Sequence, residues 1–344
     1  MRGRTQYFTR YWVSLAAAIF STTLAPSSAA QPAHRVVIAA VGDISLARGI
    51  ATSKRSENVF GGIRPLLSGA DVMFGNLECA VSSSPTRRKL PVTLRANPKA
   101  VAAFTGLPPL VLSVANNHSL DCGAQGLTDT IASLRSEGIH AVGGGPSLAD
   151  AQRPVIMPVN GLRIAVVAFS EFSAIRQVPG ATISPATVPS VRETVSRAAK
   201  QADVVVASFH WGIEGQQTPT DHQRALARAA VASGAILVIG SHPHVLQGLE
   251  WLPARHGRRA LVAYSLGNFV FDSRRQEMNR TAILRVTFER NSIKLAEFVP
   301  VVIQHGCPHP ATPDEAARIL TLVSHFSSKF GAKVNGTGEL KSLR

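Results

Sequence analysis

In GSHPHVLQGLEW (240–251), His242 and His244 flank Pro243 directly after the apolar run AILVI (235–239). A buried core has no use for two imidazoles there, and a plain turn would take Asn, Asp or Ser. Similar polar residues follow other apolar runs: Asp43 after RVVIAAV, Asn76 and Glu78 after DVMF, and Asn116, Asn117, His118 and Asp121 after LVLSVA. His210 and Glu214 follow VVVASF, and Asn268 follows LVAYSLG. Carboxylate, carboxamide and imidazole donors without thiolates suit Mn, Fe, Zn or Mg. Such clusters hold one or two ions that lower the pKa of a water to about 7 and polarise an ester oxygen. In an extended segment residues i and i+2 point the same way, so the His-x-His spacing lets both imidazoles reach one ion pair.

Each residue alone has a plainer explanation. Asp43 suits a turn, NNH a helix cap, HWG a packed histidine, Glu214 a surface acid and Asp121 a helix start. Tyr264 reads as a packing residue and GGG at 143–145 as a flexible turn. Their joint placement carries the weight, because independent structural uses would scatter along the chain. Arg95, in LRANP between two such loops, suits an anion clamp; with Asn116 and Asn268 it makes the candidate substrate contacts.

The elements that must position these residues alternate. The β-branched runs 35–41, 71–75, 109–115, 163–169, 203–209, 235–240 and 260–266 read as strands. Between them, 127–138, 189–201 and 222–234 read as helices. Near-continuous apolar strands alternating with helices imply an α/β fold with a covered sheet. Ligands bind such sheets at the carboxyl ends of the strands. TAILRVTFER and SIKLAEFVPV read as a hairpin turning at Asn291. TPDEAARILTLVSHFSSKFG reads as a helix capped by Thr312 with Pro313 first.

The first thirty residues, with Arg2, Arg4 and Arg10, the apolar run WVSLAAAIF and small residues Ser28 and Ala30, have the three-part pattern of a signal peptide. The apolar run is short of the roughly 20 residues a span needs. An exported protein, periplasmic or secreted, is expected, with residues 31–304 as its main domain and 305–344 as a C-terminal extension with one helix. The net charge is +15. A positive field outside the cytoplasm points to anionic polymers, phosphate groups or lipid headgroups at a membrane surface, not to nucleic acid. The three cysteines are Cys79, Cys122 and Cys307. A Cys79–Cys122 bridge and two buried thiols are both open readings.

GD (42–43), GNLE (75–78), RANP (95–98), ANNHSLDCG (115–123), HWGIE (210–214), GSHPHVLQGLE (240–250) and YSLGNFVFD (264–272) resemble the signature of the CapA, or poly-γ-glutamate capsule synthesis, family. The resemblance runs from about residue 36 to 304. It implies a calcineurin-like metallophosphoesterase fold, a four-layer α/β/β/α sandwich with metals at the strand ends. It also implies that Asp43, Glu78, Asn117, His210, His242 and His244 are metal ligands, and that His118 is the catalytic acid or transition-state stabiliser. Two positions depart from the pattern: Ser45 stands where a histidine ligand is usual, and Glu78 replaces the bridging carboxylate beside Asn76. The expected activity is metal-dependent, phosphoesterase-like hydrolysis in capsule or poly-γ-glutamate biosynthesis, acting on a phosphoester or an anionic envelope polymer such as poly-γ-glutamate. The alternatives are a non-catalytic polyanion-binding factor for polymer assembly or export, and the binding of a phosphate-containing ligand without turnover.

Overall fold

The computed structural model describes residues 34–48, 50, 58–85, 91–173 and 178–342. The expected signal peptide lies outside them. In chain order the main strands are β1 (Arg35–Ile44), β2 (Val72–Leu77), β3 (Leu110–Ser113), β4 (His140–Val142), β5 (Val155–Val159), β6 (Leu162–Ser170), β7 (Val204–His210) and β8 (Leu237–Ser241). They continue with β9 (Leu249–Pro253), β10 (Arg259–Ala263), β11 (Asn268–Val270), β12 (Arg280–Glu289), β13 (Ser292–Gln304), β14 (Cys307–Pro310), β15 (Ala332–Val334) and β16 (Leu340–Ser342). The main helices are α1 (Gly123–Ser136), α2 (Val188–Ala199), α3 (Asp221–Ser233) and α4 (Pro313–Ser328).

One sheet has the order β14-β13-β12-β1-β2-β3-β4, with β11 pairing the end of β1; the other runs β9-β10-β8-β7-β6-β5. The sheets meet face to face through β1 against β8 and β10 against β13. Helix α1 packs on β4, while α2 and α3 cover the far face of the second sheet. This is the α/β/β/α sandwich expected. Strands buried on both faces explain the unbroken apolar runs: every residue of β2, β7 and β8 is buried.

The helix ends follow local chemistry. The Thr220 and Thr312 hydroxyls each accept the N–H three residues on, and Gln223 and Glu315 reach back to complete capping boxes. The hairpin turns at Arg290–Asn291, where Glu289 pairs with Ser292. The described residues after 304 hold one helix, α4, together with strands β14, β15 and β16. Strand β14 pairs with β13, and α4 touches β13 of one sheet and β9 of the other. The chain after 304 is thus built into the sandwich. Among the described residues no helix is long and apolar enough to cross a membrane.

GGG at 143–145 is not a loose turn. A Cβ on Gly143 would lie 2.6 Å from the Ala115 Cβ and 2.8 Å from the Ala168 Cβ, so the glycine lets the two sheets approach. Gly144 and Gly145 pair with Ile183 and Thr182.

Candidate metal centre

Strand register builds the site. Asp43, near the end of β1, has Asn76 of β2 as its neighbour on one side and Asn268 of β11 on the other. His210, the last residue of β7, pairs with Ser241 of β8, which places His242 and His244 beyond the next bend. Glycines permit the convergence. A Cβ on Gly42 would meet the Gly267 carbonyl oxygen at 1.9 Å, and one on Gly240 would meet that of Tyr264 at 1.9 Å.

Glu78 is the centre of this cluster. It is fully buried, and neither carboxylate oxygen accepts a hydrogen bond. Its Oε1 lies 3.7 Å from His210 Nε2 and 3.6 Å from His244 Nε2. Buried charges are normally paired or bound to a metal, so two orphaned oxygens facing two imidazole nitrogens fit a divalent cation.

The partners behind the imidazoles point the same way. Ser241 gives its proton to the Phe209 carbonyl (3.1 Å), so its Oγ can accept the His210 Nδ1–H at 3.1 Å. The Asn268 amide donates to the Met278 carbonyl (3.1 Å), which leaves its Oδ1 to accept the His244 Nδ1–H at 2.8 Å. The His244 arrangement turns Nε2 towards Glu78, as second-layer hydrogen bonds do for metal-binding histidines, while the His210 ring is held by Ser241 and by the Asn76 amide, 3.2 Å from Nδ1. Asn117 Oδ1 is 2.9 Å and His242 Nδ1 is 3.1 Å from His210 Nε2. Two donor triads share Glu78: Glu78, His242 and His244 form one, and Asp43, Glu78 and His210 the other.

His242 and His244 do not reach the site by lying on an extended segment. Their φ angles are +93° and +60°, so each turns through the left-handed region with Pro243 between them. That conformation costs a non-glycine residue about 1–3 kcal/mol and persists only where the surroundings impose it. Here the Asp43 carboxylate accepts the His242 N–H at 3.1 Å, and the ring of Phe172 packs on the His242 imidazole at 4.3 Å.

The electrostatics match a cation site. Burial, reinforced by the neighbouring His244 and His118, pushes the His242 imidazole down to about 3. Burial and the same crowd of imidazoles also depress His210. Burial alone would lower His244 too, but the Glu78 and Asp43 carboxylates outweigh it and push it up to about 10. Burial raises the Glu78 carboxyl, with His244 opposing.

Beside the cluster, His118 Nδ1 sits 2.7 Å from Asp121 Oδ2, which also accepts the Leu94 N–H at 2.7 Å. Asp121 is therefore not merely a helix-start residue; it orients His118 and leaves Nε2 as the ring nitrogen for a proton. His118, Asn117, His244, Asn268 and Glu214 line a cleft of about 530 Å³.

Other expected residues have different places. Asn116 does not line the cleft: its amide donates to Asn76 Oδ1 and the Leu77 carbonyl, and its Oδ1 accepts from the His118 N–H and the Ser119 hydroxyl. Every polar atom of that side chain is spent holding strand ends together. Nor does Arg95 reach the cleft; its guanidinium donates to the Ser84 carbonyl at 2.9 Å. Arg48 and Arg275 line the cleft instead, and both sit in runs too ordinary to mark them in advance. Ser45 accepts a long hydrogen bond from the Ala47 N–H (3.4 Å). Tyr264 is fully buried. Cys79 and Cys122 are separate buried thiols without a bridge, and burial pushes Cys79 up to about 12.

Residues 37–273 match the family described as bacterial capsule synthesis protein PGA_cap. The chain is 32% identical to the PGA biosynthesis protein CapA of Bacillus subtilis, over 84% of this chain and 78% of that one. It is 31% identical to the capsule biosynthesis protein CapA of Bacillus anthracis, over 81% of this chain and 70% of that one. Among solved structures, a hypothetical protein from Thermus thermophilus superposes with a TM-score of 0.50 at 16% identity, over 77% of this chain and 98% of that one, a likeness of fold. With the family match covering most of the chain, this protein belongs to the PGA_cap bacterial capsule synthesis family.

Proposed function

We propose that the protein is an exported, metal-dependent hydrolase acting in capsule or poly-γ-glutamate biosynthesis. The observation that carries the reading is the Glu78 carboxylate, buried with both oxygens orphaned and facing the Nε2 atoms of His210 and His244. Glu78, His210, His242 and His244 would hold a divalent cation, with Asn117 and Asp43 in reach. Bound there, such an ion polarises an ester oxygen and acidifies water. The chain's own residues supply the rest. Asp121 fixes the His118 ring, so that Nε2 can give a proton to a leaving oxygen or stabilise charge on it. The walls around the cluster keep Glu78 away from bulk water and strengthen its attraction for a cation. Export is supported by the pattern of the first thirty residues. The substrate class is anionic, a phosphoester or poly-γ-glutamate itself; the names of the Bacillus relatives favour a role around that polymer.

The test is metal content of the purified full chain together with turnover on a panel of phosphoesters and poly-γ-glutamate. Bound or acquired transition metal with chelator-sensitive hydrolysis supports the reading. A chain that takes up no metal at neutral pH overturns it. Retained metal and polymer binding with no hydrolysis would support a non-catalytic factor instead.

A further inference from the structure

Behind one wall of the metal cleft lies a second cavity, of about 210 Å³, lined by Gln276, Asn279, Arg280, Gln304 and Arg318 among others. The wall is a single 3₁₀ turn, Gln276–Asn279. Side chains three apart share a face in such a turn. Arg275 and Met278 accordingly line the metal cleft, while Gln276 and Asn279 line the second cavity. One short segment thus separates the two depressions.

The second cavity carries two arginines against one acid, over an apolar floor of Val302, Ile303 and Ile319. Arg280 opens β12, and Arg318 projects from α4, where it is exposed. Glu315, the acid of the lining, is committed to the helix cap: its Oε2 accepts from the Thr312 N–H at 2.9 Å and the Thr312 hydroxyl at 2.8 Å. Two guanidinium groups flanked by carboxamides suit a carboxylate, for which arginine offers paired donors.

We propose that this cavity is a carboxylate subsite for a linear polycarboxylate, which drapes over residues 273–280 with its neighbouring portion in the metal cleft. The inference rests on the polymer reading of the function and deepens it. A chain with a carboxylate on every residue could place one in each depression. A small phosphoester would use the metal cleft alone. Affinity should therefore rise with oligomer length once the chain spans the turn, because the second contact becomes intramolecular.

Fluorescent γ-glutamate oligomers, one of a few residues and one long enough to span both cavities, are titrated by anisotropy against the metal-loaded full chain. The double substitution Arg280→Gln/Arg318→Gln, and the exposed Arg318→Gln alone, are compared after matching thermal unfolding and metal content. The long oligomer should lose about tenfold in affinity in the double variant, and the short one less than about twofold. Equal binding of the long oligomer by wild type and double variant overturns the subsite but leaves the polymer reading standing. Failure of the wild type to bind either length overturns both.

Discussion

The two ends of the metal cluster are built differently. At the His210–His244 end, donor atoms converge on Glu78 with their outer nitrogens held by Ser241 and Asn268, and both Glu78 oxygens are without a hydrogen-bond partner. At the Asp43–Ser45 end the polar groups satisfy one another. Asp43 Oδ1 accepts from the Asn76 amide at 2.8 Å, Asp43 Oδ2 accepts from the His242 N–H at 3.1 Å, and Ser45 turns to its own backbone. The first end leaves donor atoms open to a cation, while at the second Asp43, though a member of one donor triad, also braces the strained His242 turn. Metal affinity and fold stability should therefore separate along the cluster.

Glu78→Gln is the largest expected effect. Metal affinity should fall at least about a hundredfold, because a charged ligand shared by both donor triads is lost. The metal-free variant sheds a desolvated carboxylate but also loses the pairing that raises His244, so its stability should change far less than its metal affinity. Calorimetric titration and thermal unfolding with and without chelator check both expectations. Asp43→Ala should reverse the ranking. It orphans the Asn76 amide and the His242 N–H, at about 1–3 kcal/mol each, yet weakens metal binding less than Glu78→Gln does. If Asp43→Ala loses metal as completely and keeps its stability, the division into ligand end and brace fails.

The pH response is intermediate in size. In the metal-free fold His244 is pushed up to about 10 by Glu78 and Asp43 against the effect of burial. The stabilisation that this protonation gives is complete below the unfolded pKa of about 6.5 and fades as pH rises towards the folded value. Metal must displace that proton, so affinity should strengthen over the same range, with release of about one proton per ion. His210 and His242, already held neutral, should release none. Metal titrations in buffers of different ionisation enthalpy count the protons. Ser45→Ala should do least, with metal affinity unchanged and stability altered by less than about 1 kcal/mol. A large loss of metal there would bring Ser45 back into the site.

Much of this was legible in the residues. Apolar runs marked seven of the central strands because both faces of each sheet are covered, and Thr312, Pro313 and Gly234 marked helix ends through capping chemistry. The polar residues after those runs were legible as a cluster because strand ends share a rim. What the sequence hid was register and handedness. HPH reads as extended by spacing, whereas Asp43, distant in the chain, draws His242 into a left-handed turn. Asn116 and Asn117 look alike in sequence, but one braces strand ends and the other faces His210. Arg275 lines the cleft and Arg95 does not, because no local pattern tells which guanidinium faces a cleft.

The most direct test is a calorimetric titration of Zn²⁺ or Mn²⁺ into the chelator-stripped full chain at neutral pH, in parallel with Glu78→Gln. Saturable tight binding with proton release in the wild type, lost in the variant, is the predicted result. No saturable binding, or equal binding by Glu78→Gln, would contradict a metal centre built around that carboxylate.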